Sequence, residues 1–206
     1  SRLLRIDCSP GVVGSSVVLP SGREALAFTN ATNDKQIHLL DLMTGEKQSA
    51  LLRKGIRTLA LAPDGHTALV LHNKIPGDPQ PSDDFETQLD KRYGFSLVMV
   101  DTLFSKLQIT EVDPGMFAYL PDSTQGYLLL ADANLPMRSV LELDLESFIV
   151  YEYEVSSTPE EVGVVPGTNR VYVSQSHPMG RMSFINVASR ELRTVTGFQL
   201  NSQITE

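Results

Sequence analysis

Four times along this chain a short apolar run ends in a proline, turns tightly and returns as a second apolar run. The units are residues 17–28 around Pro20, 59–71 around Pro63, 117–130 around Pro121 and 162–173 around Pro166. In each, proline pre-sets φ as the chain leaves a strand. Ser21-Gly22, Asp64-Gly65, Asp122-Ser123 and Gly167-Thr168 then supply residues suited to a tight turn. A hairpin recurring at a regular interval constrains the fold more than any other feature here. One such unit cannot bury its own apolar face and must stack on its neighbours.

The prolines lie 43, 58 and 45 residues apart. A third apolar run, tipped by Asp or Asn, follows each hairpin: 37–41, 97–101, 140–144 and 183–186, with tips Asp41, Asp101, Asp144 and Asn186 spaced 60, 43 and 42 apart. Each series has one long interval, and both long intervals contain residues 72–94. Removing roughly 15 to 17 residues there restores a common period, as an insertion into a regular repeat requires. The tip side chain can accept hydrogen bonds from amides of the following turn, which explains its fixed place. Fourth runs such as 106–112 are more polar, as suits an outer edge strand.

Four antiparallel strands per repeat predict an all-β fold, a β-propeller of about four four-stranded antiparallel blades. The expected blades are 12–52, 56–112, 115–155 and 160–197, with an insertion loop at 73–94, in one propeller domain over 1–206 that forms part of a larger ring. A β-sandwich is the competing all-β reading, but it gives no reason for four units to share proline and acid at matching places.

Residues 166–175, Pro-Gly-Thr-Asn-Arg-Val-Tyr-Val-Ser-Gln, resemble the signature of YVTN-type β-propeller repeats. Tyr172 and Val173 match its first two positions, while Ser174 and Gln175 stand where that motif has Thr and Asn. Phe184-Ile185-Asn186 and Asp41-Leu42-Met43-Thr44-Gly45 are similar to the family's third strand and following turn. The resemblance spans nearly the whole chain, with the other three units matching loosely. It implies a seven-bladed or similar extracytoplasmic propeller, periplasmic or secreted, of a bacterial protein. It implies no chemistry, because such propellers host unrelated functions.

Residues 3–8 read as a stray outer strand, and residues 191–195 give the last blade a fourth strand of its own. The N-terminal strand then belongs to a blade outside this sequence. An open run of four blades implies upstream sequence, a second copy completing the ring, or four-blade closure; upstream blades are the preferred reading. Residues 198–206 either begin a further blade or trail off.

The formal charge is −8, from 25 acidic and 17 basic residues, and no Lys/Arg cluster is present, which argues against a nucleic-acid partner. The longest apolar runs are far shorter than a membrane span needs. With the single Cys8 no internal disulfide and no CxxC knuckle can form. Gly14-Ser15-Ser16 is not a nucleophile elbow, Cys8 has no evident base partner, phosphate-loop and dinucleotide motifs are absent, and Glu160-Glu161 are expected in a solvated connecting turn. No cofactor is implied.

The insertion, joining the second and third strands of the second blade, is the candidate binding element, since long loops in compact domains are often functional. Asp83, Asp84, Glu86 and Asp90 could face a cation, but their spacing fits no ordered calcium loop. A short helical turn is expected from Phe85 to Lys91, and Phe85 and Tyr93 are candidate aromatic contacts. His72 and His177 both follow a second strand and so are expected on the same face; His38 falls on a strand and His66 in a turn. The sequence therefore favours a non-catalytic binding or scaffold module that engages a protein partner or the remaining blades. The alternative is part of an enzymatic or metal-binding propeller whose other site residues lie outside this chain.

Overall fold

The structure, a computed structural model, describes residues 5–9, 11–131 and 138–197. The chain divides into two compact units, Ser1–Glu111 and Val112–Glu206. The first holds two antiparallel four-stranded sheets. One is built from β1 (Ser15–Val18), β2 (Glu24–Phe28), β3 (Gln36–Asp41) and β4 (Lys47–Leu51), the other from β5 (Ile56–Leu61), β6 (Thr67–His72), β7 (Tyr93–Met99) and β8 (Ser105–Thr110). A helix, α1 (Phe85–Asp90), lies in the insertion between β6 and β7. The second unit holds β9 (Pro114–Tyr119), β10 (Gln125–Ala131), β11 (Arg138–Asp144) and β12 (Val150–Glu154), then β13 (Pro159–Val164), β14 (Arg170–Gln175), β15 (Arg181–Asn186) and β16 (Leu192–Thr196). Each sheet is a meander whose strands pair in sequence order, the connectivity of a propeller blade.

The burial pattern follows from that order. Second and third strands carry near-continuous apolar runs because both of their faces are covered; β6 is buried along its whole length. The fourth strands β4, β8, β12 and β16 are largely exposed or half-buried. In the first unit the two blades share one apolar cluster, with Leu26, Phe28 and Ile37 from the first and Ile56, Val70, Val98 and Leu103 from the second. In the second unit Tyr127, Leu129 and Val140 of the third blade pack with Val162, Val171, Val173 and Ile185 of the fourth.

Each proline hairpin closes by the same bond, from Gly22, Gly65, Ser123 and Thr168 amides to the carbonyls of Leu19, Ala62, Leu120 and Val165. In the first three the left-handed residue is the last of the turn (Gly22, Gly65, Ser123). In the fourth it is Gly167, one place earlier, which is the type II arrangement. The turn after the third strand is equally regular. Asp41, Asp144 and Asn186 each accept two amide hydrogen bonds on one side-chain oxygen, at 2.8–2.9, 2.8–3.2 and 3.0 Å. Four residues on, the chain is left-handed in every blade, at Gly45, Leu103, Phe148 and Arg190.

The second blade breaks the expected acid tip. Its third strand ends at Met99, whose amide bonds to Phe104 O as that of Asp41 bonds to Glu46 O, so Met99 holds the tip position. Asp101 lies two residues further, inside the turn. Tyr93 and Gly94, expected in the insertion, belong to β7, which leaves residues 73–92 outside the strands. Glu160 and Glu161 are not in a turn but in β13, beside the register shift between Pro159 and Glu161. Arg5, Ile6, Asp7 and Cys8 form no strand. Asp7 instead accepts the Ser9 amide in a local turn that takes the chain out of an extended course. Leu3 and Leu4, like the expected tail at 198–206, lie outside the described residues.

Candidate functional site

The insertion is not a solvated loop but a folded element seated on both blades of the first unit. Asp84 caps α1, its carboxylate accepting the Thr87 amide at 2.7 Å, and this bond holds its pKa below the ordinary carboxylate range. Asp83 ties the two ends of the insertion by accepting from Lys91 Nζ at 2.7 Å and from the Gln80 amide at 2.8 Å, which likewise favours its charged form. Leu89, the buried residue of the helix, points inward.

Three cations hold the helix down. Lys54, in the β4–β5 connector, is fully buried and donates to Leu89 O at 2.7 Å, at the helix end whose carbonyls lack helical partners. Burial pulls its pKa down to about 8 despite the nearby Asp90. Lys35, from the β2–β3 loop, bridges Glu86 and Asp90 at 3.1 Å each, and Arg53 reaches Glu86 at 3.9 Å. The insertion backbone adds bonds from Asn73 N to Gly55 O and from Ile75 N to Asp90 O. The acids that suggested a cation site are thus engaged by this chain's own side chains and amides. Lys35, Arg53 and Lys54 were not picked out from the sequence. The signal was charge complementarity between loops that the blade topology places at one end of the first two sheets, and it emerges only once that topology is drawn.

What the platform presents outward is aromatic and cationic. Phe85, the first residue of α1, is 69% exposed. Tyr93 is half-buried, with the Lys74 ammonium 5.1 Å above its ring centre. Between the insertion and the end of β8 lies an open cleft of about 590 Å³, lined by Lys74, Asp78, Pro79, Lys91, Arg92, Tyr93, Ile109, Thr110 and Glu111.

The two histidines have different surroundings. His72 ends β6 and is 1% exposed; its Nε2 lies 2.7 Å from Ser96 Oγ and its Nδ1 3.2 Å from Gly55 O. Both nitrogens are spent inside the protein, and burial pulls its pKa down to about 4. His177 is half-buried in the β14–β15 loop and accepts the Met179 amide on Nδ1 at 3.2 Å. His72 lies in the first unit and His177 in the second. Among the described residues no three His, Cys, Asp or Glu side chains are grouped to hold a metal ion, and no helix is long and apolar enough to cross a membrane.

Neither a family model nor a curated protein matches the chain. Solved structures do. Hydrazine synthase of Kuenenia stuttgartiensis matches with a TM-score of 0.53 at 15% identity, over 90% of this chain and 54% of that one. The RRP9 WD40 repeats match at 0.51 and 10%, over 93% and 53%. A structure titled eukaryotic initiation factor matches at 0.56 and 15%, over 98% and 45%. The chain spans about half the length of these structures. At such identities the likeness concerns fold alone, and with the four meander sheets it makes this chain an all-β propeller of four blades.

Proposed function

We propose that this chain is a non-catalytic binding module, part of a larger propeller ring, and that it engages a protein partner through the insertion on its second blade. The observation that carries the reading is Phe85, an exposed aromatic on a helix that is capped by Asp84 and pinned by Lys54 and Lys35. A large apolar side chain held out on a rigid support loses little conformational freedom on binding, which is the character of an interface anchor. The span of about half of each matched structure supports further blades as its neighbours, and the resemblance to YVTN-type repeats supports an extracytoplasmic setting.

The test is capture by immobilised chain from the source cells, comparing the unaltered protein with Phe85→Asp and with Met43→Asp, a change at an exposed residue of the β3–β4 turn, at the end of β3 opposite Lys35. A partner retained by the unaltered chain and by Met43→Asp but lost with Phe85→Asp supports the reading. An identical set on all three removes it.

A further inference from the structure

We infer that the cleft between the insertion and β8 is a binding site for a small monoanion, a carboxylate carried on a flat or apolar body. The inference is independent of the Phe85 contact. Three cations converge there from the two ends of the insertion, in a chain whose net charge is −8: Lys74 where the insertion leaves β6, Lys91 and Arg92 where it rejoins β7. Lys91 is already committed to Asp83 at 2.7 Å. Lys74 is held by a carbonyl, that of Gly77, and by the Tyr93 ring, neither of which cancels its charge. The Arg92 side chain is exposed and makes no hydrogen bond or ion pair among the described residues. Two positive charges therefore face the cleft without a carboxylate bound to either.

The rest of the lining sets the ligand class. A guanidinium presents paired N–H groups that match a carboxylate or a phosphate. Asp78 and Glu111 also line the cleft, and Asp83 neutralises Lys91, so the wall is electrically balanced and Lys74 and Arg92 are its local anion-binding pair. Two cations facing two carboxylates suit one added negative charge and disfavour the dianion of a phosphate. Tyr93 and Ile109 offer an apolar wall for the body of the ligand, and the cleft volume is that of an ordinary small-molecule site.

The experiment is a titration of the whole 206-residue chain, followed by backbone amide NMR, with benzoate as probe, benzamide as its uncharged counterpart and inorganic phosphate as the dianion. The expected result is saturable benzoate shifts clustered at residues 74, 92, 93 and 109, weakened at least tenfold in Arg92→Gln and in Lys74→Met, with no saturable response to benzamide and weaker binding of phosphate. Because Arg92 is exposed, its variant keeps the fold, and an unchanged spectrum elsewhere verifies this. Shifts that fail to saturate, that scatter over the surface, that persist undiminished in Arg92→Gln, or that phosphate reproduces with equal or greater affinity would overturn the assignment. Loss of partner capture in Phe85→Asp with benzoate binding intact separates this site from the proposed protein interface.

Discussion

His72 and Gln175 hold the same position in the second and fourth blades, and each bonds a serine on the adjacent third strand. His72 Nε2 lies 2.7 Å from Ser96 Oγ, and Gln175 Nε2 donates to Ser183 Oγ at 2.6 Å. Each also ties the incoming connector, His72 through Gly55 O and Gln175 through the Ser157 amide. Both residues pair with the first residue of an innermost strand, Ile56 and Pro159, where the register shifts. A polar side chain there ties the connector to the third strand beside the bulge.

The equivalence yields a pH prediction. His72 has a folded pKa of about 4 against an ordinary 6.5, so between those values the unfolded chain takes up a proton that the folded chain refuses. Its contribution is therefore complete above pH 6.5 and is lost as pH falls toward 4, by up to about 3 kcal/mol. His72→Gln copies the fourth blade and removes the titrating group. Urea unfolding of both proteins at pH 8, 6 and 4.5 should show them within about 1 kcal/mol at pH 8, with the unaltered chain losing ground to the variant in acid. Parallel pH profiles would show that His72 is not buried in its neutral form.

A second pair of equivalent positions differs in chemistry. In the first unit Leu39 and the left-handed Leu103 belong to one apolar cluster. In the second unit the same two places hold Glu142, fully buried, and the left-handed Arg190, whose Nε donates to Glu142 Oε1 at 2.9 Å while its guanidinium lies 3.8 Å over the Tyr151 ring. The Tyr153 hydroxyl donates to the other carboxylate oxygen at 2.5 Å. Burial first, and then Glu142 beside them, push the hydroxyls of Tyr127 and Tyr153 above the ordinary tyrosine range. Removing one partner strands a buried charge, whereas replacing all of them does not. Arg190→Leu should lower the urea midpoint, because it strands the fully buried Glu142 carboxylate without its cation. The triple change Glu142→Leu, Arg190→Leu, Tyr153→Phe should return to within about 1 kcal/mol of the parent or exceed it. Five of the six tyrosines lie in Val112–Glu206 and the chain has no tryptophan, so tyrosine fluorescence in urea reads that unit selectively. A triple variant as weak as the single would assign the pair a role beyond charge balance.

The proline hairpins could be read from the sequence because turn chemistry is local: Pro20, Pro63, Pro121 and Pro166 act on the residues next to them. The left-handed places could not, because only Gly45 of the four advertises its conformation. Leu103 and Phe148 hold theirs while their side chains are buried, and Arg190 while paired with Glu142, all arising from contacts distant in sequence. The candidate site failed in the same way. Residues 83–90 look like a free acidic run until Lys35, Arg53 and Lys54, between 29 and 55 positions away, are brought beside Glu86, Leu89 and Asp90 by the stacking of two blades. His72 and His177 look alike in sequence, and burial alone separates them.

Met99 offers the most direct test of the repeat itself. Asp41, Asp144 and Asn186 each bind the amides two and three residues ahead, while Met99, in the same place, supplies no oxygen. Its turn retains a 3.3 Å bond from the Phe104 amide to Thr102 Oγ1. Met99 is half-buried at the strand end, so little apolar surface is lost by changing it. Met99→Asn should therefore supply the missing acceptor to the amides of Asp101 and Thr102, with Asn186 as precedent; asparagine avoids the repulsion that a second acid would meet at Asp101. Two weak turn bonds gained against some lost burial predict a net stabilisation of about 0.5–1 kcal/mol. The readout is a higher urea midpoint with slower exchange of the amides at 101 and 102. A lower midpoint, with exchange at those amides unchanged, would mean that the second blade's turn departs from the geometry the other three share.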